Sequence, residues 1–343
     1  YAGVPALHAR LVAVGDLPGD SLVPTDTIVS PTLVDGLRRF QERHGLEVDG
    51  ILGARTVQAL QVPYSTRVRQ LELALERLRW LSGYLDTDLV LVNIPMYRLS
   101  AWEAGTMGGP PAFTTRVIVG TAVRTPTPVF TSMVSDVVLR PYWNVPSSIA
   151  RGELLPRARR DPGYLARNNY EIVRGEGDRS PVLPLTAENL ALVATGGARL
   201  RQRPGAGNAL GFIKFNFPNT YSVFMHDTPG RQLFDRAERN LSHGCVRVED
   251  PESLAEWMLR ESGWFRQAIV DATQAAQSRT VVVRRPIRVV LSYSTAAVDA
   301  DGTVRFADDI YRQDPALDRA LRDPGSFTME FMGGHGEMPV TDP

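Results

Sequence analysis

Cys245 is the only cysteine in the chain and lies in the string Ser242-His243-Gly244-Cys245-Val246-Arg247, nineteen residues after His226. With no second cysteine it makes no internal disulfide, so its thiol is either buried and inert or chemically employed. Alone, such a residue reads as a small buried hydrophobe, and its surroundings decide between the two. Only a thiolate attacks carbonyls well, and an ordinary thiol is mostly protonated at neutral pH, so activation needs a nearby base or cation. Two histidines are candidates. His243 is close in sequence but points away from Cys245 in an extended segment. His226 ends the apolar run Tyr221-Ser222-Val223-Phe224-Met225. A strand end can hold an imidazole rigidly against a neighbouring loop, which favours His226 as the base. Gly244 removes a side chain just before the nucleophile, so backbone N–H groups around Cys245 can approach a developing oxyanion. Arg247 supplies a fixed positive charge suited to a substrate carboxylate. Cys245, His243 and His226 could together hold zinc, but a structural zinc site normally wants four ligands. No metal and no organic cofactor is therefore expected. His8, His44 and His335 fall outside the strand pattern and read as structural or surface residues.

The elements that must position these groups follow from period and punctuation. In residues 1–63, Leu33, Leu37 and Phe40 keep the spacing of a buried helical face. His44-Gly45 stops that helix, and Asp49-Gly50 is a turn. A second short helix is predicted over 54–60 with Val57 and Leu60 facing inward. Residues 64–87 read as a linker helix, with Leu71, Leu75, Leu78 and Leu81 on its apolar face. From Asp88 the period changes to short β-rich runs at 89–95, 116–120, 134–139, 221–225, 280–283 and 287–291. The long stretch at about 141–211 carries its own helix signals (151–160 and 186–194) and reads as an insertion, either a lid or a substrate-binding loop. A helix is expected over 251–258. From residue 314 the chain turns polar and ends in a loose tail, 314–343, containing Gly333-Gly334-His335-Gly336.

Composition narrows the function classes. A length of 343 residues points to more than one core. The apolar and charged fractions, 43% and 22%, are those of an ordinary globular protein. Basic and acidic residues balance at 38 each, so no global field favours nucleic acid or an anionic membrane. Lys214 is the single lysine; an arginine-rich surface suits carboxylate-bearing ligands. No window approaches the roughly 18 apolar residues of a membrane span. The chain begins at Tyr1 and is read as a processed or trimmed, soluble mature form.

His226, fifteen intervening residues and then Ser242-His243-Gly244-Cys245-Val246-Arg247 resembles the signature of the L,D-transpeptidase (YkuD-type) catalytic domain. Asn93-Ile94-Pro95-Met96-Tyr97-Arg98-Leu99, Trp143-Asn144-Val145-Pro146, the run Asn208 to Phe215 and His226-Asp227-Thr228-Pro229 are similar to the large periplasmic branch of that family, which carries an inserted capping subdomain. Phe40-Gln41 and the run Val48 to Thr56 resemble a three-helix peptidoglycan-binding domain. The implied architecture is multidomain α+β. A peptidoglycan-binding-like domain (1–63) and the linker helix (64–87) precede a mostly β catalytic domain (88–313), with the cap inserted at about 141–211.

The resemblance implies that Cys245 attacks the L-centre carbonyl of the third residue of a peptidoglycan tetrapeptide stem, releasing D-alanine. A side-chain amine of a neighbouring acceptor stem then resolves the thioester into a 3→3 link. His226 would be the base, the backbone carbonyl of Asp227 would orient it, His243 would assist, and the N–H groups of Gly244 and Cys245 would hold the oxyanion. Arg247, Trp143, Asn208 and Phe224 are expected to line the substrate groove, with Lys214 a further groove candidate. Phe224 departs from the pattern, because a tyrosine is expected there; strand alternation puts Tyr221 on the opposite face. Carbapenem-type β-lactams are expected covalent inhibitors, and the periplasm or cell envelope the expected location. Two other functions remain open: an L,D-carboxypeptidase that resolves the thioester with water, and a non-catalytic scaffold that grips peptidoglycan.

Overall fold

The computed structural model describes residues 3–21 and 28–323. These fall into two compact units, one formed by residues up to Trp80 together with those from Tyr293 onward, the other by Leu81–Ser292. No helix among the described residues is long and apolar enough to cross a membrane.

The first unit contains helices α1 (Val4–Ala13), α2 (Pro31–Arg43), α3 (Ala54–Gln61) and α4 (Tyr64–Arg79). Helix α2 starts where the Ser30 hydroxyl accepts from the Leu33 N–H at 3.2 Å, with Pro31 setting the first turn. Its Leu33, Leu37 and Phe40 face is buried with Val4, Leu11, Leu17 and Leu46. Gln41 ties the following turn to this helix. Its Nε2 donates to Asp49 Oδ1 at 2.8 Å and its Oε1 accepts from the Gly50 N–H at 2.8 Å.

Four expectations for this unit are corrected. In α3 the buried residue is Thr56, whose hydroxyl accepts from Gln41 at 3.3 Å, while Val57 and Leu60 are only half-buried. In α4 the buried stripe is Leu73, Ala74 and Arg77, and Leu75 and Leu78 are 59% and 49% exposed. The reason lies far along the chain. Residues 293–323 return to α4, where Ala296 and Phe306 pack on Ala74 and Asp314 pairs with Arg77 at 2.6 Å. The same contacts end the idea of a loose tail from 314, because Asp314–Arg322 is a helix held to α4 also by Arg69–Asp318 at 2.5 Å. It follows that residues 293–313 belong with the first unit rather than with the β domain. The Gly333–Gly336 string and His335 lie outside the described residues.

In the second unit the strands are β1 (Leu89–Asn93), β2 (Arg98–Trp102), β3 (Phe113–Gly120), β4 (Phe130–Leu139), β5 (Trp143–Asn144), β6 (Tyr170–Val173), β7 (Val182–Leu183), β8 (Arg199–Gln202), β9 (Ile213–Asn216), β10 (Met225–His226), β11 (Asn240–Ser242), β12 (Val246–Val248) and β13 (Arg279–Ser292). The main sheet runs β11-β3-β12-β10-β9-β4-β13-β1-β2, and a further β2–β3 pairing closes it on itself. Closure removes the exposed edges that an open sheet of this size would present. The runs at 280–283 and 287–291 are one strand, β13, with a register shift between Val282 and Ile287. Pro286 sits in that shift, where its missing N–H costs no ladder bond. Of the run 221–225 only Met225 is in a strand. Helix Pro251–Leu259 is capped by Asp250, which accepts from the Ser253 N–H at 3.1 Å, and buries Leu254, Ala255, Met258 and Leu259.

Between β4 and β9 the chain builds a separate four-stranded antiparallel sheet, β5-β8-β6-β7. It has its own core of Leu154, Leu155, Leu165, Ile172, Val193 and Leu200. The π-helical turn Ala150–Leu154 and the helix Leu155–Arg160 cover part of this segment.

Candidate active site

Strands β9, β10 and β12 lie side by side, and their register aligns the polar groups. His226 is opposite Lys214 across the antiparallel β10–β9 pair and opposite Arg247 across the parallel β10–β12 pair. Directly paired residues project to one face of a sheet, so Lys214, His226 and Arg247 form a row. Cys245 lies in the bend just before β12, its Sγ 3.9 Å from the Ser222 carbonyl oxygen, and its thiol feels the charges of Lys214 and Arg247.

The imidazole of His226 is buried, and its Nδ1–H donates to the carbonyl oxygen of Asp227 at 2.5 Å. That bond leaves Nε2 with its lone pair, the tautomer a base requires. Burial first, then the charge of Arg247 and more weakly of Lys214, hold the imidazole's pKa at about 3, against the opposing hydrogen bonds that the ring donates to the backbone of Asp227 and, more weakly, of Leu210. Burial likewise pushes the Cys245 thiol up, partly offset by a backbone hydrogen bond from Phe224 and by the charges of Lys214 and Arg247. Both shifts favour the uncharged form, a thiol at Cys245 and a neutral imidazole at His226.

The loop that presents the thiol is clamped from several sides. Gly244 has a φ of 109°, a conformation that side chains rarely adopt. Its N–H donates to Ser242 Oγ at 3.1 Å, and Ser242 Oγ in turn donates to the Cys245 carbonyl at 2.6 Å. This corrects the expectation that Gly244 supplies an oxyanion donor, because its N–H is already engaged by that hydroxyl. Thr127 Oγ1 donates to the Gly244 carbonyl at 2.8 Å and accepts from the Gly120 N–H at 2.8 Å. Gly120 has no room for a side chain, since a Cβ there would lie 1.9 Å from the Thr125 carbonyl oxygen. Thr127, Thr125 and Gly120 were not singled out in the sequence. The only local signal was the stiff Thr125-Pro126-Thr127-Pro128 string, more than a hundred residues before the cysteine.

The remaining candidates divide. His243 is exposed and directs its Nε2 to Glu153 Oε1 at 2.7 Å, in the inserted segment. Phe224 is half-buried, with its ring centroid 5.6 Å from that of His226 and 4.3 Å from Lys214 Nζ. Tyr221 is 57% exposed and stands 5.2 Å from the Phe130 ring. Asp227 contributes its carbonyl to His226, while its buried carboxylate accepts from the Phe212 N–H at 2.8 Å and meets Arg231 at 3.3 Å.

One groove assignment is corrected. Asn208 is 1% exposed; its Nδ2 donates to the carbonyls of Pro141 and Arg203 and its Oδ1 accepts from the Leu210 N–H. With donors and acceptor all engaged, it braces the chain between β8 and β9 and has nothing to offer a substrate. Trp143 is half-buried and packs against the core of the separate sheet, 6.1 Å from the Tyr170 ring. Among the described residues no three His, Cys, Asp or Glu side chains gather as metal ligands.

Residues 87–289 match the family model described as the L,D-transpeptidase catalytic domain, YkuD, and residues 1–60 match the model described as "Putative peptidoglycan binding domain". A "Putative L,D-transpeptidase" of Haemophilus influenzae is 34% identical over 271 residues, 78% of this chain and 53% of the relative. The chain thus spans about half the length of that curated relative. Among solved structures, an L,D-transpeptidase from Stackebrandtia nassauensis aligns over 88% of this chain and 93% of its own at 13% identity, with a TM-score of 0.28. L,D-transpeptidase 3 from Mycobacterium tuberculosis aligns over 60% of this chain and 61% of its own at 12% identity, also with a TM-score of 0.28. On the family match and the curated relative, this chain belongs to the YkuD family of L,D-transpeptidases, with a peptidoglycan-binding domain at its N-terminus.

Proposed function

We propose that the protein forms 3→3 cross-links in peptidoglycan through a thioester on Cys245. The observation that carries this reading is the row on β9, β10 and β12, which gives the half-buried thiol a neutral imidazole whose tautomer is set by the Asp227 carbonyl. In the first half-reaction Sγ bonds to the L-centre carbonyl carbon of the third stem residue as His226 Nε2 takes the thiol proton. The oxyanion is met by the Cys245 N–H. Collapse breaks the C–N bond, and His226 returns the proton to the amine of the departing D-alanine. In the second half-reaction the acceptor's side-chain amine attacks the thioester and passes a proton to His226. The C–S bond then breaks and the thiol is regenerated.

The peptidoglycan-binding domain supports a substrate held in the cell wall, and with it a location in the cell envelope. Incubation with disaccharide-tetrapeptide, read by mass spectrometry, tests the proposal. Cross-linked dimer and an acyl-enzyme that vanishes in Cys245→Ala are expected. Tripeptide monomer as the only product would instead make the protein an L,D-carboxypeptidase. Sacculus binding without any turnover would make it a scaffold.

A further inference from the structure

The chain holds 38 basic residues and a single lysine, and that lysine, Lys214, stands beside His226. Three buried arginines elsewhere in the molecule are matched by carboxylates: Arg43 by Asp16 at 2.7 Å, Arg77 by Asp314 at 2.6 Å, Arg201 by Glu171 at 2.5 Å. Lys214 and Arg247, which flank one histidine, have no such counter-charge. Both are half-buried, and neither side chain makes an ion pair or hydrogen bond with any described residue; Arg247 Nε is enclosed without a partner. Removing two cations from water without a counter-charge is costly, and burial pulls both below their ordinary proton affinities. What holds Lys214 is the Phe224 ring, whose face lies 4.3 Å from Nζ. A ring positions an ammonium without neutralising it. This gives a use to phenylalanine at a position where a hydroxyl was expected.

We propose that Lys214 and Arg247, one on each side of His226, form a two-point receptor for the substrate carboxylate that lies α to the reacting amine. The inference rests on Cys245 as nucleophile and names the class of molecule that exchanges there. The departing D-alanine carries its carboxylate one carbon from the amine that leaves. An acceptor whose side-chain amine has a carboxylate at the same spacing enters on the same groups, and a plain ω-amine does not. The receptor also coordinates timing. The two cations disfavour a proton on His226, and a docked carboxylate screens them, so the base strengthens when substrate is in place.

Alkylation of the only cysteine tests this without peptidoglycan. Iodoacetate and iodoacetamide form the same C–S bond and expel the same iodide, but only the first carries a carboxylate. The iodoacetate-to-iodoacetamide rate ratio should fall about tenfold in Lys214→Gln and in Arg247→Gln, the scale of one charge-assisted hydrogen bond. Lys214→Arg should retain most of it. A parallel fall of both rates at constant ratio would overturn the proposal and leave Lys214 a support for the thiolate. In the unmutated protein, D-alanine should protect Cys245 from iodoacetamide and D-alanine amide should not. Equal protection by both, or by neither, would also overturn it, whatever the folding of the variants. A thiol inert to both reagents even at alkaline pH would remove the nucleophile reading itself, and the receptor with it.

Discussion

Thr127 Oγ1 bridges the Gly244 carbonyl and the Gly120 N–H, each at 2.8 Å, so one buried hydroxyl joins the end of β3 to the loop that carries the nucleophile. Thr127→Val keeps the shape of the side chain and leaves a buried carbonyl and a buried N–H unpaired. Thr127→Val should destabilise the β unit by about 2 kcal/mol and lower acyl-enzyme formation at least tenfold, while Thr127→Ser stays near the parent. Denaturant unfolding and intact-mass acylation read the two effects. A Thr127→Val protein with parental acylation would show that the loop holds its shape without the bridge.

The thiol and imidazole predict an unusual pH profile. Burial raises the thiol and lowers the imidazole to about 3, so neutral forms prevail across the physiological range. Iodoacetamide alkylation of Cys245 should rise about tenfold per pH unit through neutrality and still be climbing where an ordinary thiol levels off. A thiolate–imidazolium pair would instead give a fast, flat rate extending into acid. Stopped-time mass spectrometry distinguishes the two.

The two histidines near the nucleophile should behave differently. His226→Gln removes the base and should cut acylation by a carbapenem by 10²-fold or more, the usual scale for a general base. His243 directs its ring to Glu153, an exposed pair 2.7 Å long whose contribution to stability is about 1 kcal/mol or less. His243→Gln and Glu153→Gln should therefore leave folding and carbapenem acylation within about threefold of the parent. Comparable losses from His226→Gln and His243→Gln would put the base in doubt.

In the first unit, burial lowers the pKa of His44 to about 3 from an ordinary 6.5. Its ring stacks on Phe40 at 3.8 Å, and its Nδ1–H donates to the Phe40 carbonyl at 2.8 Å. The unfolded chain binds the proton more tightly, so stability is complete above about pH 6.5. It falls with acid at about 1.4 kcal/mol per unit, until the folded form itself titrates near pH 3. Protection factors of α2 amides, corrected for the intrinsic exchange rate at each pH, should fall over that window and lose most of this dependence in His44→Gln. An unchanged acid slope in His44→Gln would assign the effect to other groups.

Much of the molecule was legible because local signals agreed with the fold. The period of Leu33, Leu37 and Phe40 marked α2, and the motif from Ser242 to Arg247 marked the family. What misled were residues whose surroundings arrive from far along the chain. The leucines of α4 looked like its buried face until the returning residues 293–323 buried Ala74 and Arg77 instead. Asn208, beside a glycine-rich turn, had the profile of a ligand-binding residue, yet three backbone groups consume its amide.

By itself the sequence determined which atoms can react: one thiol, a histidine at fixed spacing, a glycine before the nucleophile and one lysine among many arginines. Only the tertiary structure decided how they combine. Strand register is a relation between segments distant in sequence, and it alone aligned Lys214, His226 and Arg247 across β9, β10 and β12. Burial, which favoured the uncharged thiol and imidazole and left both cations without a partner, is likewise a property of the packed molecule rather than of any residue in it.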